Sequence, residues 1–384
     1  VSRAAAGSMH CPERAGRLAG LGLSPIRAIQ NGAPEGAISL GLGEPGWDMP
    51  LSGRRALEAF ATEEGPCSYG ANAGIAALRA AIAAREAVSE DDVLVTDGSE
   101  EAVFSLISAY AGPGDGVLVP DPGYLAYPAL ARLAGACPCP YALGSDFSLD
   151  PERFAEALAA APSAKIAIVN SPSNPTGASA SPDALKDVAS LCADRNILII
   201  SDEVYRELYL GSPPPGMRAA ASAAGAACAA TSSVSKAWGA PGLRIGWAAG
   251  PASILEPAQL VHNYAVTSVS RPAQAAALAL ILDSDRVLKA ARQELAERWD
   301  VLACCLEPLI GRRPEPPAGS FYYWLKIGKE DSMSFCIRAR DRAGVILIPG
   351  SAFGKQGEGY ARLSFGGSPE QIREGLSRLS RIWP

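Results

Sequence analysis

A chain of 384 residues with a formal charge of −6, 48% hydrophobic and 19% charged, has the composition of a globular enzyme large enough for two domains. The mild acidity and the lack of any basic run argue against nucleic acid or an anionic membrane as partner. No apolar stretch reaches the roughly 20 residues a membrane-spanning helix needs. Only two histidines, His10 and His262, are present, which argues against a His-based hydrolase or a His-rich metal site. The nine cysteines lack metal-type spacing: Cys137-Pro138-Cys139 and Cys304-Cys305 are too close for a zinc pair. Reduced thiols in a cytoplasmic protein are the expectation, and residues 1–20 lack the apolar core of a secretory signal.

From about residue 92 short β-branched runs alternate with Ala/Leu-rich helical segments. Val93-Leu94-Val95 ends at a Gly-Ser turn, and a helix follows through Tyr110. Next come a strand at Gly116 to Val119, a buried strand at Lys165 to Val169 and a Pro/Asn/Gly loop. A helix then opens at Ser181-Pro182, with Ser as cap and Pro in its first turn. Ile197 to Ile200 is another buried run, and two more short strands lie around Thr231 and at Ile245 to Ala248. This alternation predicts a mostly parallel sheet covered on both faces, with ligands beyond the carboxyl ends of its strands. After about residue 283 the pattern changes: a long helix over 285–309, a Pro-rich link, and strands at 321–325, 344–348 and 361–365. This predicts a smaller α+β domain that also takes in the N-terminal residues.

The polar residues of interest fall at strand ends. Lys236, in Thr231-Ser232-Ser233-Val234-Ser235-Lys236, has no carboxylate within six positions on either side, a setting suited to an amine that attacks a carbonyl. Asp202 ends a buried strand, where a carboxylate needs a positive partner. A pyridinium nitrogen is one such partner; a plain helix cap at Ser201-Asp202 is the other reading. Tyr205, three residues on, and Asn174, in a loop fixed by two prolines and a glycine, offer hydrogen bonds to a ring oxygen. Asp97-Gly98-Ser99-Glu100 joins a strand to a helix start and suits a phosphate, as do the Ser233 hydroxyl and the Arg244 guanidinium. The same turn also occurs in many α/β loops without a ligand. Tyr124 can stack on an aromatic ring or fill core. Arg362, among apolar neighbours, needs a partner, either a substrate carboxylate or an internal salt bridge.

In this order, from Leu40-Gly41-Leu42-Gly43-Glu44-Pro45 to Phe365, these motifs closely resemble the fold type I pyridoxal-phosphate-dependent aminotransferases of class I/II, the aspartate aminotransferase-like proteins. The resemblance implies an α/β fold with a large domain, residues 48–282, built on a mostly parallel seven-stranded sheet. Residues 1–47 and 283–384 would form a small α+β domain, and a homodimer would share its active sites. It implies pyridoxal 5'-phosphate as cofactor, with Lys236 as the Schiff-base lysine, Asp202 at the pyridine nitrogen, and Tyr205 and Asn174 at the ring hydroxyl. Tyr124 would stack on the ring. Ser99, the Glu100 backbone, Ser233 and Arg244 would hold the phosphate, with Tyr69 reaching the neighbouring subunit's phosphate. Arg362 would clamp the substrate α-carboxylate, helped by the backbone at Gly43 and by Asn174.

The implied reaction moves an amino group between an amino acid and a 2-oxo acid with ping-pong kinetics. Elimination, replacement or cyclisation on the same cofactor is the alternative, although the C–S lyases usually have His where Tyr205 stands. Two departures stand out. Trp47-Asp48-Met49-Pro50 replaces the usual Phe-Asp-Thr-Pro and is expected to reshape the entrance, and Glu100 puts a carboxylate in the phosphate loop.

Overall fold

The computed structural model describes residues 13–22, 25–64 and 68–383; His10 lies outside them. Its central feature among those residues is a seven-stranded sheet. The strands are β2 (Val93–Thr96), β3 (Gly116–Asp121), β4 (Cys137–Ala142), β5 (Ala164–Asn170), β6 (Leu198–Asp202), β7 (Cys228–Ser233) and β8 (Gly246–Ala249). They lie in the order β2-β8-β7-β6-β5-β3-β4, and β8 alone runs antiparallel to its neighbours. The central strands β3, β5 and β6 carry apolar runs because both faces are covered. Ile166, Ile168 and Ile200 pack into one core, while Ala167, Val169 and Ile199 pack into another on the opposite face. Each fully buried isoleucine contributes on the order of 2–3 kcal/mol through the apolar area withdrawn from water.

One strand is not legible in the sequence. β4 reads Cys-Pro-Cys-Pro-Tyr-Ala, and two prolines argue against a strand interior. Its place at the edge of the sheet resolves the conflict. The Cys137 N–H donates to the Asp115 carbonyl at 2.8 Å, and pairing with β3 alternates along the strand. Pro138 and Pro140 therefore fall where an N–H would point away from the sheet.

Two smaller sheets stand beside the large one. β1 (Ile38–Ser39) pairs in parallel with β10 (Val345–Ile346), which joins the N-terminal segment to the C-terminal third of the chain. β9 (Tyr322–Lys326), β11 (Ile348–Pro349) and β12 (Tyr360–Ser364) form an antiparallel sheet in the order β11-β12-β9. The apolar run 344–348, expected as one strand, thus divides at the buried Leu347 and serves two sheets. The helix Ser284–Ile310 spans nearly the range expected of it. Ser181 caps the helix Pro182–Asp194 as its sequence predicts, accepting from the Ala184 N–H at 3.1 Å. No helix among the described residues is long and apolar enough to cross a membrane.

Candidate active site

The carboxyl ends of β2, β3, β5, β6 and β7 open onto a cavity of about 720 Å³. Register puts Asn170 beside Asp202 and Asp202 beside Thr231, so β5 and β6 end level and β7 runs two residues further. Because β8 runs the other way, its start, just after Arg244, reaches the same edge. Eleven of the residues singled out in the sequence line this cavity: Gly43, Ser99, Glu100, Tyr124, Asn174, Asp202, Tyr205, Ser233, Lys236, Arg244 and Arg362. Tyr69 does not; its side chain is 86% exposed outside the cavity.

Lys236 follows β7 through a turn in which the Ser235 N–H donates to the Ser233 hydroxyl at 3.2 Å. Its Nζ donates to the Gly43 carbonyl at 2.6 Å and lies 5.8 Å from the centre of the Tyr205 ring. Asp202 is not a helix cap. Its Oδ1 accepts from the Val204 N–H at 3.2 Å in a turn, and its Oδ2 accepts from the Tyr127 hydroxyl at 2.7 Å. Burial pushes its carboxyl up to about 6 from 3.8, with the Tyr127 and Val204 hydrogen bonds pulling the other way. Tyr205 and Tyr322 share a hydrogen bond between hydroxyls at 2.9 Å.

Arg362 is 2% exposed yet makes no ion pair among the described residues. Its Nη1 donates to Asn174 Oδ1 at 2.8 Å and its Nη2 to the Gly41 carbonyl at 2.7 Å, while its buried Nε has no partner. The internal salt bridge weighed for it is absent, and what remains is a buried cation stacked 4.3 Å from the Tyr322 ring.

At the other end of the cavity the helix Ser99–Tyr110 starts after Gly98, without a side-chain cap. Gly98 has φ +79°, and a Cβ there would sit 2.3 Å from Arg244 Nη2; a Cβ on Gly246 would sit 2.3 Å from the Ser99 nitrogen. Both glycines let a helix start and a guanidinium converge on one spot, where uncapped N–H groups favour an anion. The Glu100 side chain is exposed, so it borders this end without filling it.

The family profile "Aminotransferase class I and II" matches residues 35–379. The chain is a class I and II aminotransferase. It is 29% identical to an aspartate aminotransferase of Pyrococcus horikoshii over 361 residues, 90% of each chain. It is 32% identical to a probable N-acetyl-LL-diaminopimelate aminotransferase of Bacillus subtilis, over 93% of this chain and 92% of that one. The solved structure of aspartate aminotransferase from Thermus thermophilus with maleate matches with a TM-score of 0.86 at 30% identity, covering 97% of this chain and all of that one.

Pyridoxal 5'-phosphate is the cofactor of this aminotransferase, and the donor set fits it. Asp202, a buried carboxylate that forms no ion pair among the described residues, suits a ring nitrogen. A partly buried lysine that forms no ion pair among the described residues suits a carbonyl, and an uncapped helix start beside Arg244 suits a phosphate.

Three contributors had no role assigned from the sequence, although Tyr322 lies in Gly319-Ser320-Phe321-Tyr322, which resembles a family signature. Tyr127 holds Asp202, and Tyr322 holds Tyr205. Asn170 donates to the Asp202 carbonyl at 2.9 Å and accepts from the Asn174 N–H at 2.8 Å. Tyr322 also explains Gly43, since a Cβ there would lie 2.5 Å from its hydroxyl. The expectation for Trp47 is corrected: it does not line the cavity. It packs against Phe321 and lies under the Arg298 guanidinium, where Gly239 leaves room for the indole.

Proposed function

We propose that this aminotransferase binds an α-amino acid by its carboxylate at Arg362 and uses Lys236 to move the α-proton. The observation that carries this reading is a buried guanidinium that forms no ion pair among the described residues, facing the same cavity as a lysine that forms none. When bound, the cofactor withdraws electrons from the substrate Cα so that its proton can leave. Lys236 Nζ takes that proton and returns one, while Asp202 keeps the ring nitrogen protonated. Tyr205 and Asn174 orient the ring oxygen, and Tyr124 supports the ring face. Ser99, the Glu100 backbone, Ser233 and Arg244 hold the phosphate. Asn174 serves both ends, because its Oδ1 is held by Arg362 and its amide nitrogen remains the donor.

Relatives named for aspartate and N-acetyl-LL-diaminopimelate make these two the first donors to test. Adding single amino acids to purified holoenzyme and identifying the product by mass tests the reading. A 2-oxo acid formed without ammonia supports it; ammonia or a side-chain leaving group overturns it. Arg362→Ala is expected to raise KM about 100-fold for every donor alike, the loss expected of a charged hydrogen-bonded pair. A defect confined to one side-chain class would assign Arg362 to the side chain instead.

Tyr127→Phe removes a donor from Asp202, so its carboxyl rises further above about 6. Cofactor affinity should then begin to fall at a pH higher by up to about one unit, measured by binding at a series of pH values. An unmoved onset would separate Asp202 from the ring nitrogen.

The same reading includes a large domain over 48–282, a small domain from 1–47 and 283–384, and a cytoplasmic homodimer. Tyr69 at 86% and Tyr264 at 88% exposure support the dimer. Asn72, near the first, donates to the Thr267 carbonyl, just past the helix that carries the second. Sedimentation should give twice the 39.6 kDa chain mass.

A further inference from the structure

His262 lies in the helix Ala252–Ala265, outside the cavity, and its side chain is fully buried. Its Nδ1 is 2.7 Å from Glu101 Oε1 and its Nε2 is 2.9 Å from the Asn72 carbonyl oxygen. A neutral imidazole donates from one nitrogen and accepts at the other, but a carbonyl has no hydrogen to give, and neither does a carboxylate. Glu101 behaves as a carboxylate: its other oxygen accepts from the Asp97 N–H, and the Ser105 hydroxyl points at Oε1. The ring therefore donates from both sides, as an imidazolium paired with a carboxylate.

The two partners belong to different parts of the site. Glu101 stands in the first turn of the helix Ser99–Tyr110 and, through Asp97, fixes the loop that presents Gly98 and Ser99. Asn72 belongs to the segment that carries Tyr69. That segment is held again by the Asn72 amide on the Thr267 carbonyl and by Gln274 Oε1 on the Ile75 N–H.

We propose that His262, protonated on both ring nitrogens, is a positioning residue for the cofactor phosphate, tying the helix start that receives it to the Tyr69 segment. This rests on the reading above that the helix start holds the phosphate. The carboxylate of Glu101, close behind that helix start, would repel a phosphate; the imidazolium balances it.

Two measurements test this. In holoenzyme labelled with ¹⁵N-histidine there are only two rings to observe, and His262→Gln assigns them. Both His262 nitrogens should carry a proton; a bare nitrogen overturns the proposal. Binding of pyridoxal 5'-phosphate is then compared with binding of pyridoxal, which lacks the phosphate. His262→Gln should weaken the first roughly tenfold and leave the second within about twofold. Equal weakening of both, or of neither, overturns the proposal. Glu101→Gln provides the same comparison should His262→Gln fail to fold. Arg244→Gln is the control on the underlying reading: if it leaves the advantage of the phosphate intact, the phosphate assignment itself fails.

Discussion

Lys236→Ala is expected to abolish amino transfer, lowering kcat by at least about 10⁴-fold, because the positioned proton carrier disappears. The geometry makes this a test of chemistry and not of folding. The amine makes a single hydrogen bond, to the Gly43 carbonyl, at the edge of a cavity that water can enter. Its removal should leave the melting temperature nearly unchanged. The other polar groups of the site, Asp202, Arg362 and Asn174, keep their partners in the variant. A small primary amine added from solution should restore part of the rate, since it can diffuse to the vacated position and carry the same proton. Steady-state kinetics with and without the amine, alongside thermal denaturation, decide the matter. Activity within tenfold of the parent would remove Lys236 from its role, and loss of activity with loss of fold would make it structural.

The lining of the cavity was largely legible because its residues share one topological place. Asp202, Asn174 and Ser99 each follow a short β-branched run, Lys236 follows the small-residue strand Cys228–Ser233, all four stand beside Gly, Pro or Ser, and a parallel sheet gathers its strand ends on one edge. The sequence did not reveal the residues that hold these groups. Tyr127 meets Asp202 across 75 positions, and Tyr322 meets Tyr205 across 117. Neither tyrosine carries a local signal of its contact, since an aromatic at a helix start or in a strand reads equally well as core. The same holds for His262, whose partners lie 161 and 190 positions away. β4 was hidden for a different reason: its prolines are tolerated only because it is an edge strand, and edge position belongs to the assembled sheet. Trp47 misled because it lies in the motif nearest the entrance, while its indole turns inward to Phe321 and Gly239.

Asp202→Asn is expected to make the cofactor-free protein more stable while lowering turnover of the loaded enzyme about 10²–10³-fold. The two effects have one cause. Without the cofactor the Asp202 carboxylate is buried with two hydrogen bonds and no cation bonded to it, and burial holds its carboxyl at about 6 instead of 3.8. A carboxyl raised in the folded state binds its proton more tightly there than in the unfolded chain. The contribution of Asp202 to stability is therefore fully present below about pH 4, is lost as pH rises through about 6, and stays lost above it. Moving the carboxyl from 3.8 to about 6 corresponds to roughly 3 kcal/mol. Asparagine keeps the shape and has no charge to desolvate, so the gap between variant and parent should open between pH 4 and 6 and approach that value at pH 8. Denaturant unfolding of both cofactor-free proteins at pH 4 and pH 8 measures it. A gap of equal size at both values would mean that packing, not charge, separates them. On the proposed reading the order should reverse in the loaded enzyme, where the ring nitrogen would supply the missing cation and the Asp202 carboxylate would keep it protonated. Both results together would mark Asp202 as a residue that folding alone would exchange for asparagine and that the cofactor would satisfy.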